Sequence, residues 1–200
     1  MNLSPQPFSD ILDAVASKTP TPGGGAVTGC VAALAAALAQ MVVSFSLNKR
    51  DLAAHQPTLE AAAAQLERAR KLLLELAAED MAAYETLNAA FKIPKDDPAR
   101  PQALQAAARQ AVQPPLATIA ACADLLRLYE TLAGITNRQL RSDLAIAAIL
   151  TEAVARASRW NISINAPLLA PDDAHQARER TAEMLTVAEA RARGIEAACA

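Results

Sequence analysis

The chain has 200 residues, a formal net charge of −2 and a pI near 5.7, and 52% of its residues are hydrophobic while only 3% are aromatic. This charge excludes the strongly basic surface that nucleic-acid and anionic-lipid binders need, so we expect no nucleic-acid partner. Ala and Leu supply most of the apolar content, which favours helices over strands. We therefore predict one all-α domain over residues 1–200, a helical bundle with a core of its own.

The cysteines and histidines suggest neither a disulfide framework nor a metal site. Cys30, Cys122 and Cys199 are widely separated, which fits a reduced, cytoplasmic setting. His55 and His175 have no metal-ligand spacing. The opening MNLSPQPFSD has no basic region followed by an apolar run, so no secretion signal is predicted.

The first predicted helix, DILDAVAS, follows Ser9 and precedes the stretch TPTPGGGAV at 19–27. The glycines match neither a Walker-type loop nor a dinucleotide-binding fingerprint. Gly23, Gly24 and Gly25 can adopt positive φ, allow close approach of a ligand and leave N–H groups free at a helix start. The alternative is a flexible turn that lets the first helix fold back.

The run from Ala26 to Leu47 carries no charge and is long enough to cross a bilayer. It is dominated by Ala, contains Thr28, Gln40 and Ser44, and has no aromatic belt at its ends. We therefore predict a central Ala-rich helix buried in the protein core, and no membrane partner.

The remaining chain predicts further amphipathic helices separated by proline or glycine signals. Pro114-Pro115 indicates a kink or a fresh helix start, Gly134 a C-terminal cap, and residues 161–173 a loop or short extended piece. The predicted helices run over residues 59–91, 103–112, 116–133, 137–160 and 174–197.

Six short segments follow one another along the chain: S-K-T-P-T-P-G-G-G (17–25), N-K-R (48–50), D-M-A-A-Y (80–84), K-I-P-K (92–95), Asn137 with Ser142-Asp143, and N-I-S-I-N (161–165). In this order they resemble the cyclodeaminase/methenyltetrahydrofolate cyclohydrolase family. The resemblance covers nearly the whole chain, and the ordered set is far more specific than any single piece.

The resemblance implies an all-helical, typically dimeric folate enzyme that acts on its folate substrate without a cofactor. One branch of the family hydrolyses 5,10-methenyltetrahydrofolate to 10-formyltetrahydrofolate. The other closes 5-formiminotetrahydrofolate with loss of ammonia, often beside a formiminotransferase domain for which 200 residues leave no room. The cyclohydrolase is therefore our first expectation and the cyclodeaminase the second. A non-catalytic folate-binding or scaffold homologue is the third, because Leu52 and Ala145 depart from the family pattern.

Asp80 is the predicted catalytic residue, because a carboxylate can stabilise the methenyl cation and deprotonate the attacking water. Tyr84, one helical turn later, is predicted to donate a hydrogen bond to water or to the pterin. The alternatives are a solvent-facing carboxylate for Asp80 and a packed aromatic ring for Tyr84.

The resemblance also indicates substrate-binding residues, each with an ordinary structural alternative. Lys49 and Arg50 are expected to hold the glutamate tail, although cations are favoured at any helix C-terminus. Asn137, Ser142 and Asp143 offer partners for the pterin edge, or a helix N-cap. The full predicted set is Lys18, Gly23, Gly24, Gly25, Lys49, Arg50, Asn137, Ser142 and Asp143.

Overall fold

A computed structural model describes residues 6–200, which form seven α-helices and three short 3-10 helices, with no β-strand in that range. The 3-10 helices are Arg50–His55, Arg138–Leu140 and Ala166–Leu168. The α-helices are α1 (Phe8–Ala16), α2 (Gly24–Ser44), α3 (Gln56–Phe91), α4 (Arg100–Ala111), α5 (Gln113–Ala133), α6 (Arg141–Asn165) and α7 (Pro171–Cys199). The predicted all-α bundle is confirmed.

The Ala-rich helix α2 lies at the centre of the bundle, between α3, α5 and α6. Ala32, Ala35, Ala36 and Ala39 are fully buried. Small side chains let neighbouring helices approach closely, and a Cβ on Gly29 would lie only 2.8 Å from both the Ala77 Cβ and the Leu73 carbonyl oxygen. Although α2 has the length and apolarity of a membrane span, its inner face forms the core of this bundle.

Larger side chains fill the space around α2. Within this cluster Leu59, Leu66 and Leu73 of α3 meet Tyr129 of α5 and Ile162 of α6, all five at most 1% exposed. Their spacing of seven residues along α3 places the three leucines on one helical face, as the periodicity of the sequence predicts. The amphipathic pattern therefore determines which face of α3 turns inward.

The structure changes one predicted element and confirms two predicted helix boundaries. Residues 161–165, expected as a loop, continue α6 to Asn165, because Ile162 is buried and holds this turn on the core. Pro114-Pro115 is a fresh start, since both prolines stand in the first turn of α5, where a proline costs no hydrogen bond. Gly134 caps α5 with φ −91°, not with the left-handed conformation that glycine caps commonly adopt.

The glycine segment begins α2 earlier than expected, at Gly24 with Gly23 as N-cap. No glycine in residues 6–200 has a positive φ, so conformational freedom is not what these positions require. What Gly25 requires is instead the absence of a side chain, as its surroundings indicate.

Candidate functional site

A cavity of about 530 Å³ lies where the N-terminus of α2, the C-terminal half of α3 and the C-terminus of α6 meet. Its volume is within the range of pockets that take small organic ligands. The lining residues are Pro20, Thr21, Gly23, Gly24, Gly25, Asp80, Tyr84, Leu87, Phe91, Ala111, Asn161, Ile164, Asn165, Pro167 and Leu168. A mainly apolar wall thus surrounds one carboxyl group, one phenol and two amides.

The Asp80 carboxyl group occupies the space that a side chain at position 25 would fill. A Cβ built on Gly25 would overlap both carboxylate oxygens of Asp80, far inside van der Waals contact. Gly25 therefore lets the carboxyl group reach the first turn of α2. The N–H groups of that turn have no intrahelical acceptor, and the positive end of the helix dipole lies there.

Asp80 is half-buried, and among residues 6–200 its carboxylate takes part in no ion pair. Burial raises the pKa of Asp80 from its ordinary value of 3.8 to about 6, because the low-polarity surroundings disfavour the charged form. A carboxyl group with this pKa is mostly ionised at pH 7 and is still a competent base.

Tyr84 lies one turn after Asp80 on α3 and lines the same cavity, with 43% of its surface exposed. Residues four apart on a helix share a face, so the phenol and the carboxyl group point to the same side. Tyr84 is therefore available to a bound ligand, which a fully packed aromatic residue would not be.

Two asparagines at the C-terminus of α6 complete the polar lining, and neither was among the predicted site residues. The Asn161 Oδ1 lies 3.4 Å from the position of a Cβ on Gly24. Asn165 donates from Nδ2 to the Asn161 carbonyl oxygen at 3.0 Å. The sequence signal for this pair is the spacing of four residues between the asparagines of N-I-S-I-N, which places them on one face of a helix. The sequence predicts a loop for this segment, and in a loop the same spacing does not bring two side chains together.

The remaining predicted residues do not lie at this cavity. Lys49, Arg50, Asn137, Ser142 and Asp143 are absent from its lining. The Asn137 N–H donates to the Ser46 Oγ at 2.8 Å, beyond the opposite end of α2. Because α2 has 21 residues, at 1.5 Å each this group lies about 30 Å from the glycines within one protomer.

Among the three polar residues, Asn137 has the alternative role of a helix N-cap, because its Oδ1 accepts from the Gln139 N–H at 3.2 Å at the start of Arg138–Leu140. Leu140 is the N-cap of α6, so neither Ser142 nor Asp143 has that role, and Asp143 stands in the first helical turn. Lys18 is exposed and lies two residues before Pro20 at the cavity edge. In the described residues no cluster of His, Cys, Asp or Glu has a metal-binding arrangement.

A family model described as formiminotransferase-cyclodeaminase matches residues 7–185. A methenyltetrahydrofolate cyclohydrolase from Methylorubrum extorquens is 31% identical over an alignment of 177 residues that covers 86% of this chain and 84% of that protein. A formimidoyltransferase-cyclodeaminase from Sus scrofa is 33% identical over 94% of this chain, but this chain spans only 36% of it.

Among solved structures, a formiminotetrahydrofolate cyclodeaminase from Thermotoga maritima is similar in fold, with a TM-score of 0.84 and 33% sequence identity. The match covers 97% of this chain and 93% of the other. The shared arrangement of helices therefore extends over nearly all of both chains.

Proposed function

This chain belongs to the formiminotransferase-cyclodeaminase family, and we propose that it hydrolyses 5,10-methenyltetrahydrofolate to 10-formyltetrahydrofolate. The observation that carries the proposal is Asp80, an unpaired carboxyl group with a pKa of about 6 in a cavity large enough for a pterin ring. The relative that supports the cyclohydrolase reaction is the Methylorubrum extorquens protein, because this chain spans 84% of its length.

The substrate carries a positive charge delocalised over N5, the methenyl carbon and N10. The ionised Asp80 stabilises this cation electrostatically, and the stabilisation is strong because the surroundings are of low polarity. Apolar side chains such as Leu87 and Phe91 provide the wall for the flat ring system. Asn161 and Asn165 offer amide donors and acceptors for its polar edge.

In the reaction, Asp80 accepts a proton from a water molecule as the water oxygen attacks the methenyl carbon. The product of this step is a neutral tetrahedral carbon that bears a hydroxyl group between N5 and N10. Proton transfer to N5 then allows the bond between N5 and this carbon to break, and the carbonyl group forms as the hydroxyl loses its proton. One water is consumed and one proton is released overall, so the chemistry draws on no cofactor.

Cyclodeamination of 5-formiminotetrahydrofolate is the second candidate, and the Thermotoga maritima structure supports it, because that match also covers nearly all of both chains. It passes through a similar tetrahedral carbon, from which ammonia leaves instead of N5. The same carboxyl group would then transfer protons between N10 and the departing nitrogen. One cavity can accordingly serve either reaction.

The third candidate, a non-catalytic homologue, rested on Leu52 and Ala145. Leu52 packs against the main core and Ala145 is half-buried on α6. Neither lines the cavity around Asp80, so these departures give no reason to doubt the reacting centre. A non-catalytic homologue is therefore the last of our three candidate functions.

The deciding experiment follows the near-ultraviolet absorbance of 5,10-methenyltetrahydrofolate, corrected for the spontaneous rate, and ammonia release from 5-formiminotetrahydrofolate in parallel. We expect accelerated loss of the methenyl compound and a fall of about 100-fold or more in turnover for Asp80→Asn. The matched control is Glu79→Gln, an exposed neighbour on the same helix, which should retain full turnover. Ammonia release alone would select the cyclodeaminase, whereas unchanged turnover in Asp80→Asn would remove Asp80 from the mechanism.

We also propose that the protein works as a homodimer through one apolar surface, here called the α2–α6 face. Two rows of exposed or half-buried apolar side chains run along neighbouring helices and contain no charge. The rows are Val27, Val31, Leu34, Leu38 and Met41 on α2 with Phe45 directly after it, and Ile146, Leu150, Ala153, Ala157, Trp160 and Ile164 on α6. Trp160 and Ile164 are 68% and 74% exposed, and contiguous exposed apolar side chains of this size often mark a protein–protein interface.

The arrangement of the predicted site residues supports this dimer. A two-fold axis through the α2–α6 face and perpendicular to α2 would pair α2 antiparallel with its copy. The partner subunit's Lys49 and the partner subunit's Arg50 would then lie beside the cavity around Asp80. One active site would thus combine the glycines and Asp80 of one protomer with the cationic segment of the other.

We further propose that the enzyme acts in the cytoplasm, where thiols remain reduced. Cys30, Cys122 and Cys199 are all free in the structure. Cell fractionation checks this, and recovery of the protein with the membranes would contradict it.

A further inference from the structure

Tyr84 supplies the phenol group in the lining of the cavity around Asp80. Its side chain is 43% exposed, whereas the other tyrosine of the chain, Tyr129, is fully buried in the core. Packing in the core accounts for Tyr129, but it does not account for a phenol in the wall of a cavity. The hydroxyl of Tyr84 is therefore in a position to meet the molecules that react there.

The side chain of Tyr84 leans towards the turn of α3 that carries Asp80. Side chains of a helix tilt towards its N-terminus, so a residue covers the turn four positions before it. The Cβ atoms of such a pair are about 5–6 Å apart. In the described structure burial alone raises the pKa of Asp80, and no hydrogen bond from the phenol is among the causes. The two polar groups are thus neighbours that are not bonded to each other, and one water molecule can bridge them.

A carboxylate and a phenol offer a water molecule two complementary hydrogen bonds. The Asp80 carboxylate accepts from one O–H of the water and can take its proton, while the Tyr84 O–H donates to the water oxygen. The second lone pair of that oxygen remains free to attack an electrophilic carbon. Two fixed hydrogen bonds restrict the water to one place and orientation, and this lowers the entropic part of the barrier.

We propose that Tyr84 positions the attacking water and thereby favours hydrolysis over cyclodeamination, an inference that rests on the proposed function. The water oxygen bonds to the methenyl carbon, the π-electron pair of the C=N bond moves to nitrogen, and the proton passes to Asp80. The phenol keeps its own proton and donates to the same oxygen in the water, in the adduct and in the formyl product. In cyclodeamination N10 is the nucleophile and no oxygen is added, so the hydroxyl has no corresponding partner.

The test is Tyr84→Phe, which keeps the ring and removes only the hydroxyl. The kcat for hydrolysis of 5,10-methenyltetrahydrofolate should fall about tenfold, the effect of one lost hydrogen bond, while KM stays within a factor of about two. The ratio of hydrolysis to ammonia release from 5-formiminotetrahydrofolate should also fall about tenfold. The matched control is Tyr129→Phe, the same change in the core and outside the cavity lining, which should keep the wild-type kcat and KM.

The pH–rate profile of Tyr84→Phe separates an effect on the water from an effect on Asp80. The fall in kcat/KM below about pH 6 should remain where it is, because Asp80 is still the base. A shifted fall would overturn the proposal, since the phenol would then act on the carboxyl group. An unchanged kcat would overturn it as well, and a raised KM with unchanged kcat would assign the phenol to binding of the pterin. A wild type without hydrolysis would contradict the proposed function, whereas an active wild type with an equally active Tyr84→Phe would contradict only the role of Tyr84.

Discussion

Asp80 combines a place in the cavity lining with an environment that disfavours its charge. The raised pKa, about 6, arises from burial alone, since among residues 6–200 no ion pair offsets it. A base with this pKa retains more affinity for a proton than an exposed aspartate, and this makes it better at accepting one from water. At the scale of one residue, the site is thus a partly desolvated carboxyl group facing a cavity, which suits the cationic substrate proposed for it.

The pKa of Asp80 predicts how activity depends on pH. Because the ionised form is the base, kcat/KM should fall about tenfold per pH unit below about pH 6 and level off above it. The measurement is a pH–rate profile between pH 5 and pH 8, corrected for the spontaneous reaction. A profile that stays flat down to pH 5 would contradict the assignment, because a carboxyl group with the ordinary pKa of 3.8 would still be ionised there.

The same carboxyl group should reduce stability above that pH. Since the folded pKa exceeds the unfolded one, the stabilising contribution is complete below about pH 4 and is lost as pH rises through about 6. Asp80→Asn, which carries no charge, should therefore be more stable than the wild type at pH 7, by on the order of 1–2 kcal/mol after allowance for solvent screening. Denaturant unfolding at pH 7 and pH 4 checks this, and the difference between the two proteins should shrink at pH 4.

At the scale of secondary structure, the crossing of α2 and α3 supports both the core and the site. Gly29 allows the helix backbones to approach, with Ala77 and the Leu73 carbonyl oxygen opposite. One helical turn earlier, Gly25 leaves the space that the Asp80 carboxyl group occupies. Both positions require a residue without a side chain, but the atoms that a side chain would meet differ between them.

Alanine at these positions should therefore have different effects. In Gly25→Ala the methyl group meets a movable side chain, so we expect a small change in stability but about a 100-fold loss of turnover as Asp80 is displaced. In Gly29→Ala the methyl group meets backbone, so we expect a loss of about 1–3 kcal/mol in the free energy of unfolding. Assays of turnover and thermal unfolding on both variants separate the two effects.

Gly194→Ala is the control, because nothing lies within 4 Å of the position that its Cβ would take and the residue stands on α7, outside the cavity lining. It should keep wild-type turnover and lose no stability. A Gly25→Ala protein with normal turnover would show that the contact between α2 and Asp80 does not position the base.

At the scale of the whole molecule, two groups of predicted site residues stand at opposite ends of α2. Asp80 and the glycines lie at its N-terminus, and Lys49 and Arg50 follow its C-terminus. Within one protomer about 30 Å separates them, which is more than a pterin ring and one glutamate can span. The proposed dimer across the α2–α6 face brings the groups together.

Mixed dimers test this arrangement. Asp80→Asn and Arg50→Gln should each be nearly inactive alone, but mixed and allowed to exchange subunits they should recover about a quarter of wild-type activity, because half of the dimers then hold one intact site. Light scattering on the wild type and on Leu34→Glu, which places a charge on the α2–α6 face, reports whether the dimer forms. No recovery on mixing, or a monomeric wild type with full activity, would contradict a shared site.

The sequence alone determined the all-helical fold, the central burial of the Ala-rich helix and the family resemblance that led to Asp80. These features depend on composition, on the 3.6-residue period and on short segments, all of which are local. The sequence also limited where helices begin, since Pro114 and Pro115 are tolerated only near a helix start.

Only the tertiary structure decided which of these residues meet. It extended α6 through Asn161 and Asn165, because the burial of Ile162 outweighs the weak helix preference of asparagine, isoleucine and serine. It also showed that Gly25, because it lacks a side chain, leaves space for the Asp80 carboxyl group. Lys49 and Arg50 lie a helix length away from that carboxyl group. Contacts between residues far apart in sequence depend on how helices pack, and no local pattern records that packing.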